Sequence, residues 1–215
     1  MNWSGAPAGA GRAGGEARLT KLAYAERLVA AVALLLLRQR DAVGLVRFDD
    51  RVRTLVPPRS RTGQWRRLLV SLAEPGAGEA SKAGDALEQA ARLVRRAGMV
   101  LLVSDLLVEP DEVERAMRGL RAAGHDVTVL HVLDPAERDL SLVTGEAVFV
   151  DPETKLAVPA AVADVRDAYR STVDAAIAQW RTTFGRLGVR YTTVLTDAPF
   201  GVPLRHAFAA RAQLP

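Results

Sequence analysis

Four apolar segments of the chain end in aspartate: Phe48-Asp49-Asp50, Val103-Ser104-Asp105, Leu133-Asp134 and Leu195-Thr196-Asp197. If each segment is a strand of one parallel sheet, the carboxylates share its C-terminal edge, where open α/β folds bind ligands. Carboxylates there can hold a hard cation such as Mg²⁺ through oxygen, or serve as nucleophile or general base. The same position also suits an N-cap or an Asx turn of the following segment. Asp105, directly behind the most apolar segment, is the strongest candidate. Ser81 follows a glycine-rich stretch and opens a helical pattern, so its hydroxyl is either a second oxygen donor or an N-cap. His125, His131 and His206 have no second His or Cys at metal-ligand spacing. They read as structural, with His131, inside a strand, the one to watch. A Gly-x-Ser-x-Gly elbow is absent, and cysteine with it, which leaves no recognisable nucleophile motif. Trp65 and Trp180 lie in helical patterns and read as packing residues, and Trp3 lies in an aperiodic stretch.

The elements that must position these residues alternate between helix and strand. Leu19 to Arg40 reads as a long helix, apolar nearly all round from Leu28 to Leu37 and so buried on several sides. Ala42 to Phe48 and Arg51 to Val56 read as a hairpin about Asp49-Asp50, stopped by Pro57-Pro58. Helices follow at about Thr62 to Leu72 and Ser81 to Ala97. Met99 to Val103 is a continuous apolar run of the kind found in a sheet covered on both faces. Pro110 to Ala123 has Pro at its start and Gly124 as its stop. Val127 to Leu133 is another buried strand. Beyond Asp134-Pro135 the pattern is less regular, with strand-like pieces at Ala147 to Val150 and Lys155 to Val158. A helix from Val162 to Leu187, a strand from Arg190 to Leu195 and a short helix from Val202 to Arg211 complete the chain. This alternation predicts one open, mostly parallel sheet with helices on both faces, a three-layer α/β domain over 19–215 behind a flexible lead-in, 1–18.

Composition narrows the function classes. The 215 residues are 49% hydrophobic and 25% charged, ordinary for a globular domain. Having no cysteine excludes disulfide scaffolds, zinc ribbons and thiol chemistry, and points to a reducing compartment such as the cytoplasm. The longest apolar run, Leu28 to Leu37, is half of the roughly 20 residues a membrane helix needs. Residues 1–15 lack the apolar region of a secretory signal. The net charge of +4 comes almost wholly from arginine, but acids interleave with the arginines and no aromatic-basic stripe accompanies them, which argues against a nucleic-acid partner.

Several segments in order are familiar: Lys21-Leu22-Ala23-Tyr24-Ala25, Asp41 to Phe48, Val103-Ser104-Asp105-Leu106, His131 to Glu137, Phe149 to Thr154, Tyr169 and Thr196-Asp197-Ala198-Pro199. The series resembles the bacterial domain-of-unknown-function 58 family, a branch of von Willebrand factor A-like domains associated with MoxR-type AAA+ ATPases. The resemblance implies a non-enzymatic interaction module that acts with such an ATPase in assembly or maturation of other proteins. It also implies a metal-ion-dependent adhesion site of three loops, of which Asp105 matches the third and Ser81 stands where a Thr belongs in the second. The first loop, Asp-x-Ser-x-Ser after a central first strand, has no counterpart here.

Two protein ligands hold Mg²⁺ poorly, so the expectation is a metal-free chain, with Mg²⁺ reserved for a longer form. Loss of a central strand leaves neighbouring strands with open backbone groups, and the expectation is a chain that begins too late and gains stability from an upstream strand. The alternative reading is an α/β hydrolase- or phosphotransferase-like enzyme using Asp105 with Asp49 or Asp134 on the same edge.

Overall fold

The computed structural model describes residues 19–75, 83–140, 145–150 and 157–201. The lead-in 1–18, Ser81, the Asp151 to Thr154 turn, His206 and the helix expected at Val202 to Arg211 lie outside the described residues.

Strand and helix fall largely where the apolar periodicity places them. Helix α1 spans Lys21–Arg38, and Thr20 caps it by accepting from the Ala23 amide at 3.1 Å. Strands β1 (Val43–Phe48) and β2 (Val52–Arg59) form an antiparallel hairpin, followed by α2 (Gln64–Leu72) and α3 (Ala83–Leu93). Strand β3 (Met99–Ser104), helix α4 (Pro110–Ala122) and strand β4 (Asp126–Leu133) make a βαβ unit closed by Gly124 at φ 81°. A short helix α5 (Pro135–Asp139) precedes a second hairpin, β5 (Glu146–Val150) with β6 (Ala157–Ala161). Helix α6 (Val162–Arg186) then leads into β7 (Arg190–Leu195).

The expected single sheet is divided. Among the described residues β3, β4 and β7 form a three-stranded parallel sheet in the order β3-β4-β7, while β1-β2 and β5-β6 are separate antiparallel pairs. Helices nonetheless cover both faces of the parallel sheet. Val127 and Val129 of β4 pack with Val113, Met117 and Leu120 of α4 and Phe184 of α6. Leu130 and Val132, pointing the other way by the two-residue period of a strand, pack with Tyr24 and Leu28 of α1. All of β4 but its first residue is buried, as expected of the central strand. In β3 only Leu102 is fully buried and in β1 no residue is, because each pairs on one side alone.

Three local readings are corrected. Pro57-Pro58 do not stop β2, which runs on to Arg59. Proline is tolerated on an edge or beside a bulge, and the register shifts between Val43 and Leu45, opposite these prolines. Helix α3 ends at Leu93, short of the Gly98 stop. The stretch after Asp134 is helical at once, because Asp134 and Glu137 make a reciprocal capping box around Pro135.

Candidate functional site: a buried lysine at the acidic edge

The division of the sheet sorts the four aspartate-ended strands. Asp105, Asp134 and Asp197 follow β3, β4 and β7 and do lie at the C-terminal edge of the parallel sheet. Asp49 follows β1, which among the described residues does not pair with that sheet, and sits in the turn of the β1-β2 hairpin. There its carboxylate accepts from the Arg53 Nε at 2.6 Å, while Arg53 also reaches Asp50 at 2.6 Å. Burial pushes the Asp49 carboxyl up, but the Arg53 hydrogen bond outweighs this and holds it at about 2. Asp49 is a turn anchor held by Arg53.

At the edge itself the central group is a cation. Lys21, the first residue of α1, is 2% exposed, and its Nζ lies 2.7 Å from Glu137 Oε1 and 3.2 Å from Asp105 Oδ2. An ammonium at a helix N-terminus faces the positive end of the helix dipole and has lost most of its water. Two carboxylates offset both costs. Tyr24, one helical turn on, donates its hydroxyl to the Ala198 carbonyl at 3.0 Å and stacks obliquely on Phe200, tying α1 to the segment after β7. Burial, with a contribution from Asp197, pushes its hydroxyl up to about 12.

The carboxylates are themselves held. Asp134, fully buried, accepts from the Ala136 amide at 2.9 Å and from the Thr196 hydroxyl at 3.3 Å. Glu137 accepts from the Asp134 amide through Oε2 and so presents Oε1 to Lys21. Tyr169 of α6 donates to the Glu137 carbonyl at 2.9 Å. Behind Asp105, His131 Nε2 stands 3.0 Å from the Asp105 carbonyl and Nδ1 2.7 Å from the Tyr191 hydroxyl. A carbonyl can only accept, so Nε2 carries the proton and Nδ1 accepts from tyrosine. Burial drives the His131 pKa down to about 4, only partly opposed by the bond to Asp105. The imidazole is a neutral strut, with both nitrogens engaged.

Sequence reading found Asp105 and Asp134 and singled out His131, but gave Lys21 and Glu137 no role. Ser81, the other expected metal ligand, lies outside the described residues. No group of three or more His, Cys, Asp or Glu placed to hold a metal occurs among the described residues. Asp134, the other edge carboxylate of the enzyme reading, is committed to the α5 cap. Ser104 accepts from the Leu106 amide at 3.1 Å in a local turn and has no base beside it among these contacts. The arrangement is chemically two carboxylates bridged by one ammonium on a rigid support.

Comparison with known proteins agrees with the fold. The family model described as a protein of unknown function, DUF58, matches residues 9–181. No curated protein matches the chain. Among solved structures it is similar to the conserved hypothetical protein BatB from Bacteroides thetaiotaomicron, at 14% identity and a TM-score of 0.53 over 91% of this chain and 90% of that one. It is also similar to an aerotolerance-related membrane protein from Bacteroides fragilis, at 15% identity and a TM-score of 0.52 over 88% and 89%. Among the described residues no helix is long and apolar enough to cross a membrane.

Proposed function

Given a chain that belongs to the DUF58 family, we propose that it is a non-enzymatic, von Willebrand factor A-like interaction module that docks partners at the edge carrying Asp105. In this reading it acts in the cytoplasm with a MoxR-type AAA+ ATPase in the assembly or maturation of other proteins. The observation that carries the docking half is the ion network of Lys21, Asp105 and Glu137. In an adhesion site a divalent ion neutralises the loop carboxylates and offers an open position to a partner. Here the Lys21 ammonium does the neutralising, so docking is independent of Mg²⁺. The ATPase half rests on the family resemblance.

The test is retention of a MoxR-type AAA+ ATPase from the same genome on immobilised protein, with and without EDTA. The expected result is retention that survives EDTA and is lost in Asp105→Ala. An EDTA-sensitive complex would refute the lysine role, and a complex indifferent to Asp105→Ala would move the interface elsewhere. Saturable turnover of an esterase, phosphatase or nucleotide substrate, lost in the same variant, would restore the enzyme reading.

A further inference from the structure

A second surface lies on the outer side of the first hairpin and uses none of the residues of the Lys21 network. From Arg51 to Ala73 the chain has six arginines and neither aspartate nor glutamate. The fold gathers that stretch into β2 and α2, and between them runs a trough of about 510 Å³ whose lining includes Leu55, Pro57, Arg59, Arg66, Arg67 and Val70. Leu55 is 45% and Val70 58% exposed, two of the six large hydrophobic side chains left open among the described residues. Arg59, Arg66 and Arg67 are exposed and make no ion pair among the described residues. One carboxylate, Glu74, stands at the end of the trough, where Thr54 donates to it at 2.8 Å.

The trough is preformed. The side-chain amide of Gln64, 2% exposed, donates to the Val43 carbonyl at 2.7 Å and the Pro57 carbonyl at 3.0 Å, pinning the first turn of α2 to both strands. Arg47 donates to the Ser71 carbonyl and pins the last turn. Apolar surface inside a cationic rim is costly to leave in water and repels other basic surfaces.

We infer that this trough is a docking surface for an acidic amphipathic segment of a partner protein, its apolar side chains on Leu55 and Val70 and its carboxylates on Arg59, Arg66 and Arg67. A volume in the range of about 300–1,000 Å³ typical of binding clefts takes several side chains of such a segment. Pro57 and Pro58 offer no N–H, so the segment is read through side chains rather than by extending the sheet. A bilayer surface does not follow a concave trough. A single-stranded nucleic acid wants exposed aromatic platforms, and the nearby Trp65 is half-buried against the core formed by Ala33, Val56 and Leu68. The inference stands apart from the Asp105 edge and from the identity of the ATPase.

The experiment is fluorescence anisotropy of the full chain with a labelled probe peptide carrying leucine on one helical face and glutamate on the other. Saturable binding is expected, weakening as salt rises and falling about tenfold in Arg66→Glu/Arg67→Glu and in Val70→Ser. All three positions are exposed, so the variants keep the wild-type melting temperature. A peptide with lysine for glutamate, or serine for leucine, should not bind. Wild-type affinity in both variants would overturn the inference, as would tighter binding of phosphatidylserine vesicles or of an oligonucleotide than of the peptide at equal salt. Because the assay contains no ATPase, its failure leaves the reading of the Asp105 edge intact.

Discussion

A lysine beginning a helix is ordinarily an electrostatic mistake, and at position 21 it is corrected by two residues far along the chain, Asp105 and Glu137. That separation is why the role of Lys21 could not be read from sequence, although Lys21 and Tyr24 are visibly on one helical face. Glu137 was within reach, because Asp134-Pro135-Ala136-Glu137 has the spacing of a capping box. His131 has its own consequence. Its native pKa of about 4 lies below the ordinary 6.5, so at low pH the unfolded chain binds a proton that the folded one refuses. Above pH 6.5 the imidazole is neutral in both states, and as pH falls from 6.5 towards 4 the proton taken up only by the unfolded chain removes up to about 3 kcal/mol of stability. Melting temperatures over that interval should therefore drop more steeply in wild type than in His131→Gln, which has no titrating group there. Parallel profiles for the two proteins would show that the imidazole is not the buried neutral strut described.

At the scale of elements, the strongly periodic helices and the apolar strands β3, β4 and β7 were legible because one face or both faces of each must be buried. The first hairpin was legible as a hairpin, but its place was not: a run ending in aspartate looks the same whether it closes a turn or ends a parallel strand. For that reason Asp49 reads as ending a strand of the parallel sheet, whereas its strand pairs only with β2 among the described residues. The prolines misled for a related reason, since the rule that they stop a strand applies to a central one, and β2 pairs on one side only. What lets β2 continue is Gly44 across the hairpin. A Cβ there would meet the Val56 carbonyl oxygen at 2.8 Å and the Pro58 nitrogen at 2.9 Å, both backbone atoms that cannot swing aside. Gly44→Ala should then cost about 2 kcal/mol, read as a lower urea midpoint at an unchanged slope. An alanine variant as stable as wild type would mean that the hairpin is looser at the register shift than the structure describes.

For the molecule as a whole, the α/β layering was readable from alternation, but the division of its sheet was not. Periodicity reports which face of a strand is buried but not which strands share an edge, so composition and spacing alone predicted one continuous sheet. Between β1 and β3 there is no pairing, and the half-buried residues of both strands are the physical trace of that break. The halves are instead held together by side chains: Phe48 of β1 packs against the core around Leu102, and Arg47 reaches Glu26 of α1 at 3.6 Å. The Lys21 network closes the acidic edge in the same manner, with an internal cation joining α1, the end of β3 and α5. Whether that ammonium or a metal neutralises the edge is measured most directly by calorimetric titration of Mn²⁺ and Mg²⁺ into the full chain and into Asp105→Asn. The account predicts no saturable heat from either protein at micromolar metal. Stoichiometric micromolar binding to the wild type, abolished by Asp105→Asn, would contradict it.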